Sequence, residues 1–235
     1  RNTNKGYTYA LSAMLEKHFN FGLDMSASYT FGHAKSVNDG TSSVAYSNWK
    51  YNYSVDTNSQ NELGFSKFDI PHRVMVQASY SSPKYWNGWT STTIAVIYNG
   101  FSGSRYSLTM NEKQDFNGDG QKGNSLLYIP TDEVDEETGK VIMTAAQSRE
   151  AFKQWIENDS YAKNHRGQYA ERNSNLSKWE HEIDLHLAQT IYNIEGMGKL
   201  EFTFDIINFA NMLNKKWGAS YESAYNLSPL TLKEF

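Results

Sequence analysis

The strongest constraint on the fold is an unbroken two-residue alternation between residues 19 and 31. Every odd position in this stretch is apolar or aromatic, and every even position is polar or glycine. Successive side chains of a β-strand point to opposite faces, so the pattern predicts a strand with one apolar and one polar face. The predicted strand is also much longer than the roughly 5 to 6 residues typical of soluble proteins.

The same alternation recurs in five further segments, at residues 7–15, 68–80, 89–101, 179–191 and 200–206. The tight joint at 16–19 predicts an antiparallel hairpin between the first two strands. Residues 104–110 either extend the fourth strand or form a short one, and a less regular segment begins at Tyr221. Several carboxylates fall on the polar faces, where we expect them to line a wet or plugged lumen: Asp24, Asp69, Glu180, Glu182, Asp184, Glu201 and Asp205.

The connections between the predicted strands alternate in length. They are short at 16–19, 81–88 and 193–199, and long at about 32–65 and 111–178. Short turns on one side and long loops on the other are typical of outer-membrane barrels, whose strands need only about 10 residues to cross the bilayer. The second loop carries a segment with helical spacing (Ala146, Phe152, Trp155 and Ile156), with Thr144 placed to cap it.

The pattern therefore predicts an all-β fold, an antiparallel transmembrane β-barrel segment of about seven or eight strands with long extracellular loops, one of them carrying a short helix. Residues 1–235 are expected to be part of a single barrel domain. Thr231 and Lys233 interrupt the alternation before the terminal Phe235, which favours a segment of a larger barrel.

Composition limits the alternatives. The net charge of −4 provides no basic field for nucleic acid, and the absence of cysteine excludes disulfides and thiol catalysis. Aromatic residues make up 14% of a chain whose mean hydropathy is only −0.67. This combination fits either a barrel with aromatic girdles or a secreted or surface soluble β-domain that binds glycan or protein.

One loop segment has the beginning of a calcium-binding pattern. Asp115, Asn117 and Asp119 alternate before Gly120, and Gln121 could add a carbonyl oxygen. An EF-hand also needs a glutamate at its twelfth position, which here is Leu126. We favour the alternative interpretation, an Asx-rich turn whose side chains bind their own backbone.

Other candidate functional residues are mainly aromatic. Trp49, Tyr51 and Tyr53 in the first long loop could stack on a ligand, although we favour packing of the loop on its neighbours as their role. We expect a membrane-interface girdle on the short-turn side from Tyr85, Trp86 and Trp89, and on the opposite rim from Trp179 and Trp217.

The sequence offers no pattern typical of an enzyme. His181 and His186 are five residues apart on a predicted strand, so they point to opposite faces and do not form a zinc pair. No nucleophile elbow or phosphate-binding loop is present, so we expect no catalytic activity.

Five segments in order resemble the C-terminal barrel half of TonB-dependent outer-membrane receptors of the Bacteroidetes type, in particular the Oar-like group with a carboxypeptidase-regulatory-like domain. They are FDIPHRVMVQASY, the stretch from YNGFSGSRYSL through DFNGDGQKGNSLLYIP, RGQYAERNSNLSKWEHEIDLHLAQTI, LEFTFDIINFANMLNKKWG and NLSPL. The resemblance implies a 22-stranded barrel in a Gram-negative outer membrane, with a plug domain and energy from the TonB complex. It also implies import of a substrate captured by the external loops, with no required cofactor. A surface lipoprotein is a further candidate partner, and calcium at Asp115, Asn117, Asp119 and Gln121 is the alternative to the favoured Asx-turn interpretation.

Overall fold

The computed structural model describes residues 3–57, 61–110, 114–130, 146–194, 198–221 and 226–230. The expected helix cap at Thr144 and the terminal alternation at 231–235 lie outside these ranges. Twelve strands are described there, in chain order β1 (Tyr7–His18), β2 (Leu23–Ser36), β3 (Gly64–Phe65), β4 (His72–Ser81), β5 (Thr90–Phe101), β6 (Arg105–Leu108), β7 (Tyr128–Ile129), β8 (Gln168–Tyr169), β9 (Asn175–Leu176), β10 (Glu180–Ile194), β11 (Gly198–Ile206) and β12 (Asn226–Leu227). The helices are α1 (Ala45–Lys50), α2 (Ala146–Asn158) and α3 (Phe209–Leu213), with a 3₁₀ turn at Ala162–Asn164.

Six long strands form one open, antiparallel sheet in the order β1-β2-β4-β5-β10-β11, and β3 pairs with the end of β2. All short turns, at 19–22, 82–89 and between β10 and β11, lie at one end of the sheet. Both long loops, 37–71 and 102–179, leave from the other end. The connections among the described residues are therefore sorted by length as predicted. The described residues form six long strands, and about seven or eight strands were expected.

Several strand boundaries differ from the predicted ones. β2 continues to Ser36 because Tyr7 to Tyr9 of β1 pair with its last residues, so the first loop begins later than residue 32. β4 begins at His72, not at 68, and Asp69 therefore lies outside the polar face to which it was assigned. Residues 105–108 do not extend β5 but form β6, which pairs with β9 and β12.

A glycine in the first turn permits the close approach of two hairpins. Gly22 has φ +95°, and a Cβ there would lie 2.3 Å from the carbonyl oxygen of Ser81. The Ser81 amide donates to the Gly22 carbonyl at 2.8 Å. Only glycine combines this backbone conformation with such a contact.

One face of the sheet is apolar across all six strands, and no other element of the described chain packs over its centre. Leu11 is 72% exposed, Leu15 79%, and Phe202 and Phe204 about 60% each. The pairing register aligns these side chains into one continuous surface. It contains Leu11, Ala13, Leu15, Leu23, Met25, Ala27, Val74, Val76, Ala78, Ile94, Val96, Ile183, Leu185, Leu187, Leu200, Phe202 and Phe204.

The opposite face is polar, and its side chains hydrogen-bond between neighbouring strands. Ser12 bonds to Thr30 at 2.9 Å, and Ser81 bonds to Thr93 at 3.0 Å. His186 lies 2.5 Å from Asp205 on this face, whereas His181 lies on the apolar face, as predicted from their odd spacing.

The buried hydrophobic core of the described chain lies in the second long loop, not in the sheet. Its fully buried members are Leu108, Leu127, Ile129, Phe152, Ile156, Ala162 and Ala170. The two loops thus form a small globular assembly, the loop unit, above one end of the sheet. Among the described residues, no helix is long and apolar enough to cross a membrane.

Candidate functional site

The loop unit is built around helix α2, whose spacing was evident from the sequence. Phe152 and Ile156 are one turn apart and both point into the core, while Trp155 packs against the core from its edge. The Leu127 amide donates to the Leu108 carbonyl at 3.0 Å and joins this core to β6. The described part of the second loop is therefore packed like a globular domain.

A buried ion pair fixes the loop unit to the sheet. The Arg105 guanidinium lies 2.6 Å from Asp69, and both side chains are almost completely buried. Asp69 also accepts the Ala34 amide of β2 at 2.6 Å, and Arg105 lies 3.8 Å above the Phe65 ring. Burial lowers the pKa of Arg105, while its hydrogen bond to Asp69 acts in the opposite direction.

A second buried arginine connects the two loops. Arg172 donates to the Asn52 side-chain oxygen at 2.6 Å and to the carbonyl of Ser36, the last residue of β2. Burial lowers its pKa, and the nearby charges of Asp39 and Glu171 oppose that shift. Next to it, Lys35 pairs with Glu171 at 2.5 Å. Both long loops are therefore attached to the same end of the sheet.

A cleft of about 250 Å³ lies between the two loops. Its lining comes from residues 53–55 and 62–64 of the first loop and from Leu126 and residues 169–172 of the second. Tyr53, one of the three predicted ligand residues, is on this wall. The sequence analysis missed Tyr169 and Arg172, which no periodic pattern marks.

The other two predicted ligand residues lie outside this cleft. Trp49 is on α1 and Tyr51 follows it, with 37% and 65% of their surfaces exposed. The Tyr46 ring lies 5.9 Å from the Trp49 ring, and its hydroxyl donates to Gln121 at 2.8 Å. Together they form an exposed aromatic patch that joins the first loop to the Asp115 segment.

In the Asp115 segment, the acidic side chains bind the segment's own amides. The Asp115 carboxylate accepts the amides of Gly118 and Gly120, each at 2.8 Å. Asp119 accepts the Gln121 amide and the Asn124 side chain, each at 2.7 Å. Within the described ranges, no three His, Asp or Glu side chains are arranged to hold a metal ion.

Asn117 lies at the centre of the same segment and is buried. It donates to the Ser54 hydroxyl at 3.1 Å, so the segment also contacts the first loop. Its side-chain oxygen also accepts the Asp119 amide at 3.2 Å, which is an Asx-turn contact of the kind favoured in the sequence analysis.

The predicted girdle residues lie at the two rims of the sheet. At the short-turn end Trp86 is 80% exposed, and Tyr85 and Trp89 are also exposed. Trp179 immediately precedes β10 at the loop end, and Trp217 follows α3 at that same end.

A denser ring system on the apolar face at the loop end was not predicted. Its residues, here named the outer belt, are Tyr7, Tyr9, Tyr29, Phe31, His33, His72, Tyr98, Trp179 and His181, with neighbouring ring centroids 5.5 to 6.4 Å apart. The strand members occupy the alternating positions of the apolar face, so the two-residue alternation could have predicted the belt. It was not predicted because histidine is usually counted as a polar residue.

Aliphatic side chains fill the zone between the outer belt and the short-turn rim. His33 in the belt and Leu23, the first residue of β2, are separated by about 33 Å along the strand at the usual rise per residue. With a strand tilt of about 40°, this corresponds to about 25 Å across the membrane, the height of the apolar band in outer-membrane barrels.

Comparison with known families agrees with this geometry. A family model described as "Outer membrane beta barrel domain" matches residues 1–223. The chain belongs to this family, and its location is the outer membrane. No curated protein and no solved structure shows detectable similarity to the chain.

Proposed function

We propose that the chain is the barrel portion of a TonB-dependent outer-membrane active transporter that captures its substrate with the external loops. The observation that carries this proposal is the packed loop unit with its cleft between the two long loops. A pore that admits solutes by diffusion needs no such folded assembly above its sheet. A receptor benefits from one, because a preorganised site avoids the entropic cost of ordering loops on binding.

The cleft supplies two kinds of contact. Tyr53 and Tyr169 offer aromatic surface, and the backbone and carboxylates at Glu62 and Glu171 offer acceptors. The nearby aromatic patch around Trp49 and Tyr51 extends this surface outward. Substrate capture here would be noncovalent, and the transport step would require no catalytic residue and no cofactor. A calcium ion at Asp115, Asn117, Asp119 and Gln121 would be an accessory to the loop, not part of transport.

The polar face of the sheet is consistent with a wet or plugged lumen. Its cross-strand hydrogen bonds satisfy Ser, Thr, His and carboxylate groups that lipid could not satisfy. In the proposed mechanism, binding at the outer face leads to rearrangement of a plug domain, driven from the periplasm by the TonB complex. Further partners would be the rest of the barrel, outer-membrane lipid and a surface lipoprotein.

A growth comparison tests the proposal across several classes of substrate at once. A strain lacking the full-length protein is compared with its parent on single nutrient sources: an iron siderophore, an oligosaccharide mixture and a peptide mixture. We expect a growth defect on one of them, reproduced by loss of TonB. Growth that depends on the protein but persists without TonB would reject the proposal in favour of passive transport.

A paired substitution then locates the binding surface. Tyr169→Ala in the cleft should reduce uptake of the identified nutrient about tenfold, the loss expected for one buried aromatic contact. Trp86→Ala on the short-turn rim is the matched control and should leave uptake unchanged. Equal effects of the two substitutions would show that the cleft is not the capture site.

The alternative of a soluble glycan- or protein-binding domain has less support. Such a domain would cover its apolar face with a second sheet, whereas here that face is uncovered and continuous among the described strands. The family match is also to an outer-membrane barrel.

A further inference from the structure

Asparagine is followed by glycine at three places in the chain, Asn87–Gly88, Asn99–Gly100 and Asn117–Gly118. This dipeptide is chemically labile, because glycine has no Cβ to shield its backbone nitrogen from the side-chain amide of the asparagine. An aromatic residue precedes the asparagine in each case, so the three local sequences are closely similar. The fold, however, places the three pairs in very different surroundings.

The pair at Asn117 is protected by burial in the loop unit. Asn117 is only 5% exposed, and its side-chain nitrogen donates to the Ser54 hydroxyl at 3.1 Å. Its side-chain oxygen is bonded to the Asp119 amide. Because both ends of the side-chain amide are bonded, it reaches the backbone nitrogen of Gly118 only when this part of the loop unit opens.

The pair at Asn99 is protected by the sheet. Both residues lie in β5, where Asn99 is in register with Met75 on one side and with Glu182 on the other. Gly100 is buried, and a Cβ there would lie 2.2 Å from the Tyr98 hydroxyl oxygen. The strand pairing holds the backbone extended, so the rotation that brings the side chain onto the next nitrogen would separate the strands.

The pair at Asn87 has neither kind of protection. It lies in the short turn between β4 and β5, where Asn87 is exposed. Among the described residues, none is hydrogen-bonded to the Asn87 side chain or to the Gly88 amide. A Cβ at Gly88 would meet nothing within 4 Å, so the space in which a new ring would form is open.

The backbone of this turn is held by few interactions. Trp86, Asn87 and Gly88 have positive φ angles of 51°, 57° and 85°, a conformation that is strained for a bulky residue such as Trp86. One hydrogen bond, from the Trp89 amide to the Trp86 carbonyl at 3.1 Å, spans the asparagine and the glycine. Rotation of the backbone at Asn87 therefore breaks one surface hydrogen bond and leaves the paired strands in place.

We propose that Asn87 is a site of spontaneous deamidation in the folded protein, whereas Asn99 and Asn117 are protected. The Gly88 backbone nitrogen attacks Cγ of Asn87 and closes a succinimide ring. The bond from Cγ to Nδ2 breaks, and this nitrogen leaves as ammonia together with the proton of the Gly88 amide. Water then opens the ring at either carbonyl carbon and leaves an aspartate or an isoaspartate, with no oxidant or reductant involved.

The modification would change the charge of the short-turn end of the sheet. Each modified molecule gains a carboxylate three residues after Lys84. The isoaspartate form also routes the backbone through the former side chain. Water does not restore the amide, so the modified fraction grows with the age of the protein. This inference is independent of the transport activity.

The experiment compares the full-length protein, purified from outer membranes, in two states at the same mildly alkaline pH. One sample stays folded in detergent and the other is unfolded in guanidinium chloride. Peptide mass spectrometry with fragmentation locates each replacement of an amide nitrogen by oxygen. We expect modification of Asn87 but not of Asn99 or Asn117 in the folded protein, and similar modification of all three in the unfolded protein. Asn20, an exposed short-turn asparagine that precedes Phe21, is the internal control and should stay intact.

Two variants test the chemistry at the turn. Asn87→Gln has a longer side chain that closes the ring far more slowly, and should lose the isoaspartate that an isoaspartate-specific methyltransferase labels in the natural protein. Asn20→Gln, the matched change in the first short turn, should keep that label. Equal modification of Asn87 and Asn117 in the folded protein would overturn the proposal. An Asn87 that reacts only in the unfolded protein, or a label that persists in Asn87→Gln, would overturn it as well.

Discussion

At the residue scale, the buried Arg105–Asp69 pair leads to a prediction about the stability of the loop unit. Asp69→Asn would leave the buried guanidinium without a counter-charge, which typically costs about 3–5 kcal/mol. We therefore expect local unfolding of the loop-unit core to become more frequent in this variant. Amide hydrogen exchange at Leu127, whose N–H is bonded within that core, measures this opening.

The control for this substitution is an exposed ion pair in the same unit. Glu150 lies 3.7 Å from Lys153 on α2, and its side chain is 66% exposed. Glu150→Gln should change the stability by no more than about 0.5 kcal/mol, because water screens such pairs. Equal acceleration of amide exchange in the two variants would show that the buried pair contributes no more to stability than the exposed pair does.

The Asp115 segment gives a prediction for removal of metal ions. Its carboxylate oxygens accept amides of Gly118, Gly120 and Gln121 within the segment. We therefore expect chelation by EDTA to leave the hydrogen-exchange protection of these three amides unchanged. Asp115→Ala should abolish protection of the two glycine amides and serves as the positive control. Loss of protection on chelation would instead favour a bound calcium ion.

At the element scale, the two faces of β4 should differ in how much stability they lose when the same charge is introduced. Val76 is on the apolar face and Gln77 is its neighbour on the polar face. Val76→Lys should destabilise the folded sheet by about 2–4 kcal/mol, the cost of a lysine at the bilayer midplane. Gln77→Lys should have little effect. Urea unfolding in lipid vesicles, followed by gel mobility, compares them, and equal losses would contradict the assignment of the apolar face to lipid.

The long strands were predictable from the sequence because a single physical rule, two-residue alternation, determines them. The prediction failed where other interactions dominate. Alternation placed Asp69 on the polar face, but β4 begins only after Pro71, at His72. Asp69 is instead buried in a contact with Arg105 from a distant segment.

The site was less predictable for a related reason. Two-residue strands such as β7 and β8, and the cleft wall at Tyr169 and Arg172, depend on contacts between distant segments that no local pattern contains. The helix α2 was found because its periodicity is local. Of the three predicted ligand residues, only Tyr53 lines the cleft in the structure. The sequence alone does not indicate in which direction an aromatic side chain of a loop points.

At the scale of the whole molecule, the sorting of connections by length predicts which end is accessible from outside. The chain contains no cysteine, so a single introduced cysteine provides a unique thiol for chemical labelling. Thr41→Cys in the first long loop should react with a membrane-impermeant maleimide on intact cells. Asn20→Cys in the first short turn should react only after the outer membrane is permeabilised. Both residues are exposed, so labelling of both on intact cells would contradict the orientation.

The location of the buried core has a consequence for mutational tolerance. Lipid tails are fluid and can fill the gap when one aliphatic side chain of the sheet surface replaces another, so positions such as Leu11 and Leu15 should accept many apolar residues. Leu127 and Ile156 have rigid protein neighbours, and a smaller side chain there would leave an unfilled cavity. Natural variation should therefore be greater on the part of this molecule that touches lipid than in the interior of its loops, the reverse of the usual expectation that loops vary and barrels do not.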